Sequence, residues 1–97
     1  MTPSMADLSD SILLAAAAIP SGRVSSYGDL AKVVGCGPRL VARVLSTSGG
    51  STCWWRVVRS DGTIAAPYVV EASELLAGEG VVVRDGRVEM ARFRAEL

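Results

Sequence analysis

The chain contains no histidine, and this absence restricts its chemistry more than any other feature of its composition. Without imidazole there is no Ser-His-Asp triad and no Cys-His nucleophile pair, and zinc sites that use histidine are excluded. The two cysteines, Cys36 and Cys53, cannot fill a structural zinc site alone, and no secretion signal suggests a disulfide. We therefore expect two free thiols, no bound metal and no cofactor.

Long hydrophobic runs are also missing, so a membrane-spanning helix is not expected. The segment SILLAAAAIP is about as long as the core of a signal peptide, but Asp7 and Asp10 precede it where basic residues are usual. We interpret it as a core helix. The 97 residues are predicted to form one domain, residues 1–97, in the cytoplasm and associated with the nucleoid.

Positive charge is concentrated in the middle of a chain whose net charge is zero. Residues 20–60 hold six basic side chains and one acid, a local net charge of +5. Nine of the ten basic residues are arginine, whose planar guanidinium suits phosphates and base edges. Such a segment is typical of a nucleic-acid-binding surface but also of an ordinary solvated face, and charge alone does not separate the two.

Apolar periodicity predicts three helices in the first half of the chain. The first covers roughly residues 5–19 and ends at Pro-Ser-Gly. The second covers about 27–34, with Ser26 as its cap and Gly35 at its end. The third starts near Pro38 and extends to about residue 47. The last two, separated by a glycine-containing turn, predict a helix-turn-helix over about residues 27–47.

The second half predicts β-hairpins. CWWRVV is β-prone and RSDGT places Asp-Gly at a turn, which predicts a wing at about residues 53–65. VVVRDGRVEM is a second Asp-Gly hairpin candidate, and residues 67–78 have the composition of a further helix. The predicted fold class is mainly α with small β: a winged-helix-like helix-turn-helix domain with a β-hairpin wing.

Three segments in this order resemble a known family: IPSGRVSSYGDLAKVVG, PRLVARVL and WWRVVRSDGTI. The chain is similar here to the DNA-binding domain of the O6-alkylguanine-DNA alkyltransferases, and more closely to the alkyltransferase-like proteins. The similarity runs from about residue 19 to 64. It implies a helix-turn-helix that enters the minor groove and a pocket that receives a damaged guanine rotated out of the duplex, because an atom inside the base stack cannot be reached.

The resemblance gives individual residues roles in DNA binding. Tyr27 resembles the tyrosine that crowds the 3′ phosphate, and Arg39 resembles the arginine that fills the vacated space and contacts the orphaned base. Ser25, Ser26 and backbone amides at the helix start, including that of Gly28, are predicted to bind phosphate. Without the resemblance, the sequence favours a different interpretation: Tyr27 as a half-buried aromatic with its hydroxyl in water, and Arg39 as an ordinary exposed helix residue. The resemblance reverses that preference.

The family motif Pro-Cys-His-Arg reads Cys53-Trp54-Trp55-Arg56 in this chain. By the resemblance, Trp54 stands at the position of the nucleophilic cysteine and Trp55 at that of its base. Indole nitrogen is a donor only and cannot accept a proton, so we expect no alkyl transfer and no enzyme. Cys53 is one residue from the nucleophile's place. On an extended segment its sulfur would point away from the pocket.

The motif side chains are instead predicted to bind the lesion. Trp54 is expected to form an apolar pocket wall on which an extruded base stacks, worth about 1–3 kcal/mol. Trp55 is predicted either to line the pocket or to fill the core, and Arg56 is included among the DNA-binding residues. The loop over residues 63–70, a pocket wall in the family, contains no charged residue here.

Two functions follow from these interpretations. The first is a non-catalytic protein, expected to be monomeric, that flips O6-alkylguanine in double-stranded DNA and marks it for another pathway, by the family's implication nucleotide excision repair. The second is a winged-helix module for general DNA binding or protein docking. The joint presence of Tyr27, Arg39 and Trp54 favours the first.

Overall fold

The computed structural model describes residues 5–48, 50 and 52–96. This part of the chain forms five α-helices, a short 3-10 helix at Trp54–Arg56 and four two-residue strands. In chain order they are α1 (Met5–Ala17), β1 (Ser25–Ser26), α2 (Tyr27–Val34), α3 (Pro38–Ser48), the 3-10 helix (Trp54–Arg56), β2 (Val57–Val58), α4 (Val69–Gly78), β3 (Val83–Arg84), β4 (Arg87–Val88) and α5 (Met90–Phe93). The predicted class, mainly helical with small sheets, is confirmed. Within these residues no helix has both the length and the hydropathy of a membrane span.

The first three helices pack around one hydrophobic cluster. Each turns one apolar face inward: the buried residues of α1 and α3 recur every three or four positions, and in α2 the buried Leu30 and Ala31 are flanked by the half-buried Tyr27 and Val34. The cluster contains Ile12, Ala16, Ile19, Leu30, Ala31, Val41, Val44, Leu45 and Val57. α1 ends two residues before the predicted end, and Ile19 is buried just beyond it.

The bounds of α2 follow from its caps, as predicted. Ser26 has extended backbone, and its Oγ accepts a hydrogen bond from the Asp29 amide at 3.0 Å. Gly35 adopts the left-handed conformation, φ 87°, and its amide donates to the Ala31 carbonyl at 2.8 Å. A glycine bears this conformation without steric cost, so the chain turns here and α3 can begin at Pro38. The helix-turn-helix is therefore formed by α2 and α3.

The second half packs around its own cluster. β1 pairs with β2 in parallel, whereas β3 and β4 form an antiparallel hairpin. Asp85 and Gly86 form the hairpin turn with φ angles of 52° and 71°, as the Asp-Gly pair predicts. The buried members of this cluster are Val24, Val58, Ile64, Ala72, Leu76, Val81, Val88 and Phe93.

The prediction of a hairpin wing at residues 53–65 is wrong in its position. Residues 54–56 form a 3-10 helix, and the strand that follows pairs in parallel with the residues preceding α2. The Asp-Gly turn is present, with the Gly62 amide donating to the Arg59 carbonyl at 2.8 Å. Thr63 then bridges to Arg87 of the later hairpin instead of continuing a ladder with residues 57–58. The β-hairpin of the fold is the one at residues 83–88.

Candidate nucleic-acid interface

An open cavity of ≈ 700 Å³ lies between α3, the 3-10 helix and the start of α4. Three of the chain's five aromatic side chains line it: Tyr27, Trp54 and Tyr68. The ring centroids of Trp54 and Tyr68 are 5.6 Å apart, with an interplanar angle of 59°. The remaining wall is largely small and apolar, from residues 65–67 and from α3. Its aromatic surface suits a planar heterocycle, and the cavity has ample room for a nucleobase.

Tyr27 stands where the helix-turn-helix meets this cavity. It is the first residue of α2, its side chain packs against the first hydrophobic cluster, and it lines the cavity with Trp54. Burial raises the pKa of its hydroxyl, although the positive charge of Arg59 nearby acts in the opposite direction. The hydroxyl therefore remains protonated at neutral pH and is available as a hydrogen-bond donor.

Arg39 and Arg43 lie one helical turn apart on α3, so they share a face of the helix. Arg43 lines the cavity, and Arg39 does not. Both side chains are exposed, and Arg39 has no hydrogen-bond or ion-pair partner within the described residues. The structure thus places Arg39 beside the cavity on a solvent-facing surface, and its predicted insertion into DNA stays a prediction.

The two serines before α2 do not expose their side chains. Ser25 is fully buried, and Ser26 is 3% exposed with its hydroxyl engaged in capping. The prediction that these hydroxyls bind phosphate is therefore wrong, because both lie beneath the surface of the protein. A β-carbon at Gly28 would meet the Ser60 hydroxyl only at an ordinary 3.8 Å, so internal packing does not require glycine there. Its predicted contact with DNA stays a prediction.

The Glu79 carboxylate binds two side chains of the 3-10 helix, those of Trp55 and Arg56. It accepts hydrogen bonds from Arg56 Nε at 2.9 Å and Arg56 Nη2 at 2.7 Å, and from Trp55 Nε1 at 2.9 Å. The Gly22 amide donates to it at 3.2 Å. The hydrogen bonds from Arg56 lower the pKa of Glu79 despite its burial, so this carboxylate is charged at neutral pH.

These contacts resolve the two open positions of the motif. Trp55 packs against the second cluster, with the Arg56 guanidinium 5.4 Å from its ring centroid, and it does not line the large cavity. Arg56 also donates to the Ile19 carbonyl at 2.8 Å, and its side chain is only 13% exposed. The prediction that Arg56 binds DNA is therefore wrong, because its guanidinium is committed to Glu79. Of Trp54, Trp55 and Arg56, Trp54 alone lines the large cavity. The Trp55 ring lies edge-on to the Trp54 ring, with 6.0 Å between their centroids.

Cys53 lies outside the cavity, for a different reason from the one expected. The segment is a 3-10 helix, so side-chain alternation along a strand does not apply. Its sulfur instead accepts a hydrogen bond from Arg56 Nη1 at 3.2 Å. Both cysteines are free, and neither lines the cavity. Within the described residues, no group of three or more acidic or sulfur ligands could hold a metal ion.

Three functional residues were missed by sequence reasoning. Tyr68 lies in the uncharged loop assigned as a pocket wall, so its position carried a signal. Arg43 could have been found from its spacing of four residues from Arg39. No sequence pattern indicated the role of Glu79, because its partners Arg56 and Trp55 are 23 and 24 positions away in the chain.

A helix-turn-helix whose first residue and second helix border an open aromatic cavity is the arrangement expected of an alkyltransferase-like DNA-binding domain. The chain belongs to the family described as the 6-O-methylguanine DNA methyltransferase DNA-binding domain, whose model matches residues 7–81. This match covers both helices of the helix-turn-helix, the 3-10 helix, α4 and Glu79.

Two curated relatives, from Escherichia coli K12 and Shigella flexneri, are each called DNA base-flipping protein. Each is 39% identical over 85 residues, and the match covers 80% of this chain. It spans 66% of each relative's own length, just under two thirds.

Two solved structures have the same fold. Atl1 of S. pombe, in complex with damaged DNA containing O6-carboxymethylguanine, superimposes with a TM-score of 0.89 at 23% identity, over 98% of this chain and 100% of that one. The S. pombe ATL in complex with DNA gives a TM-score of 0.84 at 25% identity, with the same coverage.

Proposed function

We propose that this protein is a non-catalytic DNA-damage recognition protein that extrudes O6-alkylguanine from double-stranded DNA and holds it in the aromatic cavity. The carrying observation is Trp54, which forms an aromatic wall of an open cavity beside the helix-turn-helix. Its relatives are named for base flipping, and a protein of the same fold was solved with an O6-alkylated guanine in DNA. The aromatic cavity supports assigning base binding to this region of the chain.

The side chains of the cavity favour binding over alkyl transfer. Transfer from O6 requires a thiolate within reach of the alkyl carbon, and neither cysteine lines the cavity. The side chain at the position that the resemblance assigns to the base, Trp55, uses its only polar hydrogen to bind Glu79. An extruded alkylguanine would therefore stack against Trp54 and Tyr68 and leave again without a change in either molecule.

The surface around the cavity supplies the remaining parts of the proposal. The exposed guanidinium of Arg39 would fill the gap left in the duplex, and Tyr27 at the start of α2 would crowd the phosphate beside the extruded nucleotide. The bound lesion would then be passed to a second pathway, with nucleotide excision repair proteins as the first partners to examine. We propose a monomer that acts in the cytoplasm on nucleoid DNA.

The test is the equilibrium dissociation constant for two duplexes of the same sequence, one with a single O6-methylguanine and one without. We expect tighter binding of the damaged duplex. Trp54→Ala should weaken that preference by roughly 5- to 150-fold, the equivalent of about 1–3 kcal/mol of stacking. Arg39→Ala should weaken it too, whereas Arg84→Ala, on the later hairpin, should not. Equal affinity for both duplexes would leave general DNA binding or protein docking as the function.

A mass measurement separates binding from transfer. After incubation with excess O6-methylguanine duplex, the intact protein should keep its original mass. A stoichiometric gain of one methyl group on Cys53 or Cys36 would contradict the non-catalytic assignment.

A further inference from the structure

The aromatic cavity contains one acidic side chain. Glu71 lies in the first turn of α4 and lines the cavity together with Tyr27, Trp54 and Tyr68. Three aromatic rings and a carboxylate that line one cavity can attract a positively charged ligand, and a neutral alkylguanine does not use that attraction. The negative charge of Glu71 is also compatible with its place, because the start of a helix favours an acidic residue.

Aromatic faces and a carboxylate share a preference for positive charge. The face of a tryptophan or tyrosine ring attracts a cation within about 6 Å, and the gain increases when water is excluded. A carboxylate adds a charge-assisted hydrogen bond or an ion pair. O6-alkylguanine is neutral, so it gains from stacking and from a hydrogen bond that its 2-amino group can donate, but not from charge. Adenine alkylated on N1 carries a positive charge and would gain from the rings and from the carboxylate through that charge.

We propose that the cavity also binds extruded bases that are cationic through alkylation of a ring nitrogen, with Glu71 as the residue that selects them. This inference rests on the proposed function, because it requires a base extruded into the same cavity. It extends the ligand class from O-alkylated neutral guanine to N-alkylated cationic purines such as 1-methyladenine.

Two arginines lie close enough to oppose such a ligand. Arg43 lines the cavity, and Arg59 acts electrostatically on the Tyr27 hydroxyl. Both side chains are exposed, and Arg43 shares the face of α3 that carries Arg39. Glu71 is also exposed and lies at the rim of the cavity. On bound DNA the guanidiniums would face phosphates, which would leave Glu71 as the charged side chain nearest the extruded base. Arg43 and Glu71 therefore provide two variants with opposite expected effects.

The experiment measures dissociation constants for three duplexes of one sequence. The first contains 1-methyladenine, the second O6-methylguanine, and the third an unmodified adenine opposite a non-pairing base. The third corrects for the ease of extruding any unpaired base. For the unaltered protein we expect the 1-methyladenine duplex to bind more tightly than the mismatched adenine duplex.

The decisive quantity is the preference for 1-methyladenine over O6-methylguanine. Glu71→Gln keeps the side-chain shape and should lower this preference by about tenfold, as loss of one charge-assisted hydrogen bond predicts. Arg43→Gln should raise it. Glu74→Gln, the same change at another exposed position of the same helix that does not line the cavity, should leave it unchanged.

Two results would overturn the inference. One is equal affinity of the unaltered protein for 1-methyladenine and the mismatched adenine. The other is an equal effect of Glu71→Gln on both lesions, since that would mean that Glu71 contacts a group which does not depend on the charge of the base. Failure of the proposed function would be seen separately, as a missing preference for O6-methylguanine over undamaged DNA.

Discussion

Replacing Glu79 by glutamine tests whether the 3-10 helix is held by charge. The carboxylate accepts two hydrogen bonds from the Arg56 guanidinium, one from Trp55 Nε1 and one from the Gly22 amide. Glutamine has nearly the same shape, but one of its terminal atoms is a donor nitrogen. At least one of these donors would then lose its acceptor, and the Arg56 side chain, 13% exposed, would lose its counter-charge.

The expected cost follows from that burial. Loss of one partner from a buried ion pair costs about 3–5 kcal/mol, and the residual exposure of this pair favours the lower end, about 3 kcal/mol. For a domain of this size each kcal/mol lowers Tm by roughly 4–8 °C, so Tm should fall by about 12–24 °C. Lesion affinity should fall too, because Trp55 and Arg56 adjoin Trp54 in the chain.

Thermal unfolding followed by circular dichroism at neutral pH measures this effect. Glu74→Gln is the matched control, since it makes the same chemical change at an exposed site of α4 and should alter stability by no more than about 0.5 kcal/mol. A Glu79→Gln variant that loses less than about 1 kcal/mol would refute the reasoning. It would show that packing of the tryptophans suffices to position this segment.

Three further predictions concern stability. Since hydrogen bonds from Arg56 lower the pKa of Glu79 from its ordinary 4.5, the stability that this residue contributes should be complete above that pH and be lost as the pH falls through the lower folded-state value. Denaturant titrations of the protein and of Glu79→Gln should thus differ at about pH 7 and converge as the pH falls below the lowered pKa of Glu79. Ser26→Ala removes the side-chain cap of α2 and should cost about 1 kcal/mol in the same titration; an unchanged midpoint would contradict the capping role. Gly62→Ala should prevent folding, because a β-carbon there clashes with the Val88 carbonyl and the φ angle is 90°. The variant should then show no cooperative thermal transition; a normal transition would show that the turn can rearrange.

Local signals were enough to predict the helix-turn-helix. Ser26 and Gly35 bound α2 because capping and left-handed turns depend on residues within a few positions in the chain. The Asp85-Gly86 turn was predictable for the same reason, since its two positive φ angles suit those residue types.

The conformation of the Cys53–Arg56 segment could not be predicted from such signals. Its apolar residues favour a strand, but Arg56 and Trp55 are drawn to a carboxylate more than twenty positions away. The same contact converts Arg56 from a presumed DNA ligand into an internal one. The resemblance placed Trp54 correctly beside a cavity, whereas the division of roles between Trp54 and Trp55 depended on a partner that no local pattern reveals.

Fluorescence of Trp54 tests the central claim most directly. In a Trp55→Phe variant, shown by circular dichroism to be folded, Trp54 is the only indole left in the chain. Titration with an O6-methylguanine duplex should quench its emission to a plateau at one duplex per protein, because the extruded base stacks on the ring. The undamaged duplex should quench it far less at the same degree of saturation. Equal quenching by both duplexes, or none by the damaged one at saturation, would contradict an extruded lesion held against Trp54.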